Sequence, residues 1–154
     1  MGRLPRTSAG RSEQTLSTSS SRKKNVLATG KRKTSKARVV VSEGKGRIRV
    51  NSVPIHLIEP FMAREKILEP FMLATDYKDK VDISINTNGG GVMSQAEAAR
   101  MGIAQGLVKY TKSKRLRSKY IEYDRTMLAG DARRKESKKF GGPGARRRKQ
   151  KSYR

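Results

Sequence analysis

The sequence predicts an α+β protein: one small β-sheet with helices packed on one side, carrying extended basic tails at both ends. Three observations predict it. A central stretch alternates period-two and helical apolar patterns, glycines punctuate those patterns, and the positive charge lies mostly outside them. Of a net charge of +24 over 154 residues, residues 1–36 hold +9, residues 37–111 only +2 and residues 112–154 hold +13. A nearly neutral domain flanked by cationic arms has a polyanion, above all nucleic acid, as its natural counterweight.

The first arm contains TLSTSSSRKKN at 15–25, rich in Ser and Thr and without periodic apolar positions, and reads as disordered. Its Pro5 and Gly10 oppose the amphipathic helix of an organelle transit peptide. The first strand is expected in ARVVVSEG, 37–44, with RIRVN, 47–51, as its hairpin partner across the turn GKG. Glu59 and Pro60 then open a helix with Phe61, Arg64, Ile67, Leu68 and Phe71 at helical spacing, which Pro70 is expected to break or kink. VDISIN, 81–86, puts Val81, Ile83 and Ile85 on one face of a further strand ended by Gly89, Gly90 and Gly91. A second helix follows, with Ser94 and Glu97 spaced as a capping box and Ala96, Ala99, Ile103, Leu107 and Tyr110 on its apolar face. Ala98, Gly102 and Gly106 form a small-residue strip beside that face, suited to close packing on the sheet.

Several chemistries find no support. There are no cysteines and one histidine, His56, which beside Leu57 and Ile58 reads as packed; neither a catalytic triad nor a histidine metal cluster can be built on it. Gly30-Lys31 and Gly44-Lys45 lack the rest of a phosphate-binding loop, and DISINTNG at 82–89 has Met93 where a calcium loop needs Glu. Glu65 and Glu69, one helical turn apart among cations, read as ion-pair partners. No enzyme, cofactor or metal is expected. No window nears the roughly 20 apolar residues of a membrane span, and MGRLPR does not open a secretion signal, so a cytoplasmic protein is expected.

What recurs is the basic run: KRKTSKAR at 31–38, KSKRLRSK at 112–119, ARRKESKK at 132–139 and ARRRKQK at 145–151. Four runs in one small chain point to phosphate-backbone binding. Phe140 and Tyr153 add rings able to stack on unpaired bases, a habit of RNA recognition. A nucleoid-type protein coating duplex DNA is the competing class.

The segments TGKRKTSKARV, GKGRIRVN, NGGGVMSQAEAARMGIAQGLV and YDRTMLAGDARRKESKKFGGPGARRRKQKSYR resemble, in order from Thr29 to Arg154, the ninth protein of the small ribosomal subunit in its archaeal and eukaryotic form. The resemblance implies a non-catalytic protein of the subunit head, bound to ribosomal RNA beside neighbouring head proteins. It implies a division into an extension, 1–28, a globular domain, 29–118, and a basic RNA-binding tail, 119–154. The ribosomal RNA contacts implied are Lys31, Arg32, Lys33, Lys36, Arg38, Arg47, Arg100, Arg115 and Arg125, then Arg133, Arg134, Lys138, Lys139, Arg146, Arg147, Arg148, Lys149 and Lys151. The tail would thread to the peptidyl site, where Ser152, Tyr153 and Arg154 meet the anticodon stem-loop of transfer RNA. Bacterial members end in Ser-Lys-Arg, so Tyr153 departs from their pattern, and Ser35 stands where the family commonly has Ala.

Overall fold

The computed structural model describes residues 25–152. Residues 1–24 of the expected extension, with Tyr153 and Arg154, lie outside the described residues. Five strands form one sheet: β1 (Val26–Arg32), β2 (Ser35–Glu43), β3 (Ile48–Val50), β4 (Val53–Pro54) and β5 (Val81–Asn88), in the order β1-β2-β5-β3-β4. All neighbours are antiparallel except β3 and β5, which run parallel. Among the described residues four α-helices form: α1 (Phe61–Leu73), α2 (Val92–Thr111), α3 (Lys114–Tyr123) and α4 (Thr126–Ala129).

The sheet corrects two expectations. β2 does not pair with β3; its hairpin partner is β1, in register from Val26 opposite Val41 to Arg32 opposite Ser35. The strand β5 enters between β2 and β3, and the GKG segment instead crosses its start, where the Asp82 carboxylate accepts the backbone N–H of Lys45 at 2.8 Å and of Arg47 at 2.9 Å. The basic run at 31–38 is mostly strand. Its reversal uses Lys33 at φ 52°, and Ser35, fully buried, donates from its hydroxyl to the Gly89 carbonyl at 2.8 Å. The short β3–β4 turn places Asn51 and Ser52 at φ 48° and 71°, the two positive values that a tight twisted hairpin demands.

Alternation along each strand buries one face. Val39 and Val41 from β2, Val81, Ile83 and Ile85 from β5 and Ile103 and Leu107 from α2 are each at most 1% exposed. Each such side chain contributes about 1.5–3 kcal/mol of transfer free energy. The small-residue strip packs as expected. A Cβ on Gly30 would overlap the Ala98 carbonyl oxygen, one on Gly102 would lie 2.6 Å from Val39 Cγ2, and one on Gly106 would lie 2.8 Å from Val41 Cγ2. The backbone of α2 thus lies directly on β1 and β2.

The helices bring further corrections. α2 begins at Val92 behind Gly91, and Ser94 caps nothing; Glu97 turns instead to Arg32. Pro70 sits in the last turn of α1 and the helix runs on to Leu73. So close to the end the proline removes little, and its carbonyl accepts the hydroxyl of Tyr120 at 2.8 Å, a residue with no exposed surface. His56, expected to be packed, is exposed in a short 3-10 helix at Ile55–Leu57. α3 and α4 bury Leu116, Tyr120 and Met127 in the core, the last two lying beyond residue 118. Ser113 caps α3, accepting from the Leu116 N–H at 3.4 Å.

Candidate nucleic-acid interface

The face of the sheet opposite the helices carries the residues that alternation turns outward. Register sets them in rows across the strands: Lys31 beside Lys36 beside Asn88, then Thr29 beside Arg38 beside Asn86, then Val40 beside Ser84 beside Arg49. Lys31, Lys36, Arg38 and Arg49 are exposed. Two lysines directly opposite on neighbouring strands repel each other. No carboxylate stands in these rows to offset them, so an external anion is what this arrangement accommodates. Arg49 was missed at the sequence level, although its place two residues after Arg47 in RIRV held the signal. Arg47 is also exposed, with Nε 3.5 Å from the Asp82 carboxylate. The Arg47 backbone N–H, with that of Lys45, holds the Asp82 carboxyl below the usual carboxylate range.

At one end of this face the C-terminal arm leaves the body. Gly130, at φ 79°, closes α4, and Asp131 follows with its side chain 7% exposed. Arg32 reaches it from β1, Nη1 lying 2.9 Å from Oδ2, while Arg32 Nε donates to Glu97 of α2 at 2.6 Å. Arg133 folds back on the same carboxylate, with its backbone N–H at 2.8 Å and Nη2 at 2.6 Å. The hydrogen bonds from Arg133, with the Arg32 charge added, hold the Asp131 carboxyl at about 2. Beside this knot a cleft of about 340 Å³ is lined by Lys31, Lys33, Gly130, Asp131 and Arg134, three cations around one carboxylate already engaged.

Two residues nominated from the sequence are spent inside the protein. Arg32 is 13% exposed and bound as just described. Arg100 is 9% exposed and binds Glu69 of α1 through Nε at 2.7 Å and Nη2 at 3.1 Å, with Nη2 also 2.8 Å from Asp124 after α3. Glu69 additionally accepts the Tyr123 hydroxyl at 2.6 Å, raising that hydroxyl's pKa. Burial pushes the Asp124 carboxyl up, but hydrogen bonds from Thr126 and Arg100 prevail and leave it lowered. Sequence composition shows that these residues are basic; only the fold shows which carboxylates face them.

Arg115 and Arg125 are exposed at α3 and at the start of α4. Lys114, Arg117 and Lys119 of α3 are exposed too and extend the basic surface. From Ala132 to Ser152 the arm has no regular secondary structure, and Arg133, Arg134, Lys138, Lys139, Arg146, Arg147, Arg148, Lys149 and Lys151 are all exposed along it. Arg146 donates to Glu136 at 2.8 Å. Ser152 is exposed; the other two residues expected at the arm's tip lie outside the described residues.

Residues 30–154 match the family described as ribosomal protein S9/S16. The chain belongs to the ribosomal protein S9/S16 family. It is similar to the small ribosomal subunit protein uS9 of Methanothrix thermoacetophila, 50% identical over 131 residues that span 85% of this chain and 99% of that relative. The uS9 protein of Halobacterium salinarum is 53% identical over 82% of this chain and 96% of its own length. That of Saccharolobus solfataricus is 52% identical over 88% and 99%. As a member of the S9/S16 family the chain is a structural, non-enzymatic component of the cytoplasmic ribosome. Among the described residues no helix is long and apolar enough to cross a membrane.

Proposed function

We propose that this chain is a structural protein of the small ribosomal subunit head whose open sheet face, arm-root cleft and C-terminal arm bind ribosomal RNA phosphates. In this reading the arm continues to the peptidyl site, where Ser152, Tyr153 and Arg154 touch the anticodon stem-loop of transfer RNA. The observation that carries the phosphate reading is the like-charged pair Lys31 and Lys36, set opposite each other with no carboxylate in their row. The cleft of Lys31, Lys33 and Arg134 continues that surface onto the arm. Among the nominated cations, Arg32 and Arg100 position the interface rather than touch RNA, because carboxylates occupy their guanidinium groups. Coating of duplex DNA has only the charge in its favour.

Small subunits reconstituted with a chain lacking residues 152–154 test the arm's tip. They should assemble normally, since the upstream cations still anchor the arm, yet retain transfer RNA in the peptidyl site less well in filter binding. Truncation at Phe140 should weaken retention further. Unchanged retention in both would make the arm an anchor only.

A further inference from the structure

We propose that Phe140 is a stacking platform for an unpaired nucleobase, presented by a closed loop of the arm; this rests on the RNA-binding reading above. Phe140 is 99% exposed. Every other large apolar side chain exposed among the described residues keeps a larger share of its surface covered, the next most exposed being Leu27 at 68%.

The segment that carries the ring is shaped. The Lys149 backbone N–H donates to the Gly141 carbonyl at 3.1 Å, and Arg148 Nη1 donates to the Phe140 carbonyl at 2.8 Å, so residues 140–149 close on themselves. Gly141 takes φ 86°, and a Cβ on Gly142 would overlap the Arg147 carbonyl. The glycines that keep this stretch from being helical are thus what lets the loop close. Closure sets one bare aromatic ring in the same small loop as the exposed cations Arg146, Arg147 and Arg148.

That combination fits single-stranded nucleic acid, where cations hold the backbone and a ring takes one base face. A second copy of this chain is a poor occupant, because each copy carries +24. An apolar pocket in another protein would have to admit three arginines beside the ring.

The sequence has no tryptophan, so Phe140→Trp in the full chain gives a single fluorescent reporter. It is titrated with a single-stranded oligoadenylate and, separately, with an abasic ribose-phosphate oligomer of the same length and charge. The expected result is quenching and shielding from acrylamide by the oligoadenylate but not by the abasic oligomer. Phe140→Leu should bind the oligoadenylate about tenfold more weakly, with abasic affinity unchanged and Phe140→Tyr close to wild type. Equal responses to both oligomers, or wild-type oligoadenylate affinity in Phe140→Leu, would overturn the stacking role. If both oligomers still bind with steep salt dependence in that case, phosphate binding survives; if neither binds, both readings fall.

Discussion

Arg32 on β1 is joined to Asp131 at the root of the C-terminal arm, Nη1 to Oδ2 at 2.9 Å, across nearly all of the sequence that makes the core. Because Glu97 of α2 holds the same guanidinium at 2.6 Å, a strand, a helix and the arm meet on one cation. The direction in which the arm leaves is therefore fixed by the fold, and Lys31, Lys33 and Arg134 are gathered where it leaves. Arg32→Met should release the arm root while β1 stays paired with β2. Trypsin cleavage after Arg133 and Arg134 should accelerate about tenfold, with little change at Arg38, as expected for a local opening. Equal rates in wild type and variant would show that the Arg32–Asp131 pair holds nothing.

Acid should act on the same knot. Arg133 and Arg32 hold the Asp131 carboxyl at about 2, and the Asp124 and Asp82 carboxyls are lowered as well. Ordinary aspartate carboxyls titrate at ~3.9. A lowered folded-state value contributes stability that is complete above the unfolded value and lost as pH falls through the folded one. Amide protection factors around residues 124–133, corrected for the intrinsic exchange rate, should therefore fall between about pH 4 and 2, before the strands of the core lose protection. Protection that persists unchanged at pH 2 would contradict the electrostatic account of the arm root.

Arg100 offers a separate test of the difference between positioning the interface and touching RNA. Its guanidinium joins Glu69 and Asp124, so Arg100→Met leaves two carboxylates facing each other with little water. The expected cost is about 2–3 kcal/mol of stability, below the full buried-pair value because Asp124 is 28% exposed. Thermal unfolding should report it, while the salt dependence of RNA binding, measured below the transition, should not change. A shallower salt dependence with unaltered stability would reverse the assignment.

Packing of α2 on the sheet makes a sharper demand at Gly30, whose missing side chain lets the Ala98 carbonyl approach. Gly30→Ala must push backbone against backbone, and should destabilise by about 3 kcal/mol in chemical denaturation. Gly91, by contrast, has nothing within 4 Å of a Cβ and no positive φ, so Gly91→Ala should cost only the ~0.5–1 kcal/mol of a poorer N-cap for α2. Comparable losses at both positions would mean that the close approach is not what constrains Gly30.

Much of this protein is legible in sequence because its signals are local. The alternation of Val81, Ile83 and Ile85, the helical spacing from Ala96 to Leu107 and the small strip of Ala98, Gly102 and Gly106 each report one element and its buried face. What is hidden is non-local. Nothing in ARVVVSEGKGRIRV reveals that β5, some thirty residues later, enters between its two strands. The basic composition of KRKTSKAR concealed a hairpin, and that of KSKRLRSKY concealed a helix anchored by Leu116 and Tyr120. Charge counting likewise finds cations without their partners, which is why Arg32 and Arg100 stood beside Lys36 and Arg38 until the fold separated them.

The most direct test of the central claim, that the open sheet face and the arm root bind RNA phosphates, is the salt dependence of binding to small-subunit ribosomal RNA. Wild type is compared with a variant carrying Lys31→Gln, Lys36→Gln, Arg38→Gln and Arg134→Gln. Each phosphate left without its cation should lower the slope of log affinity against log salt by about 0.7–0.9, so the variant should be less salt-sensitive by about 3. Its thermal stability should stay level or rise, because the opposed charges of Lys31 and Lys36 are gone. An unchanged slope in a folded variant would contradict the account.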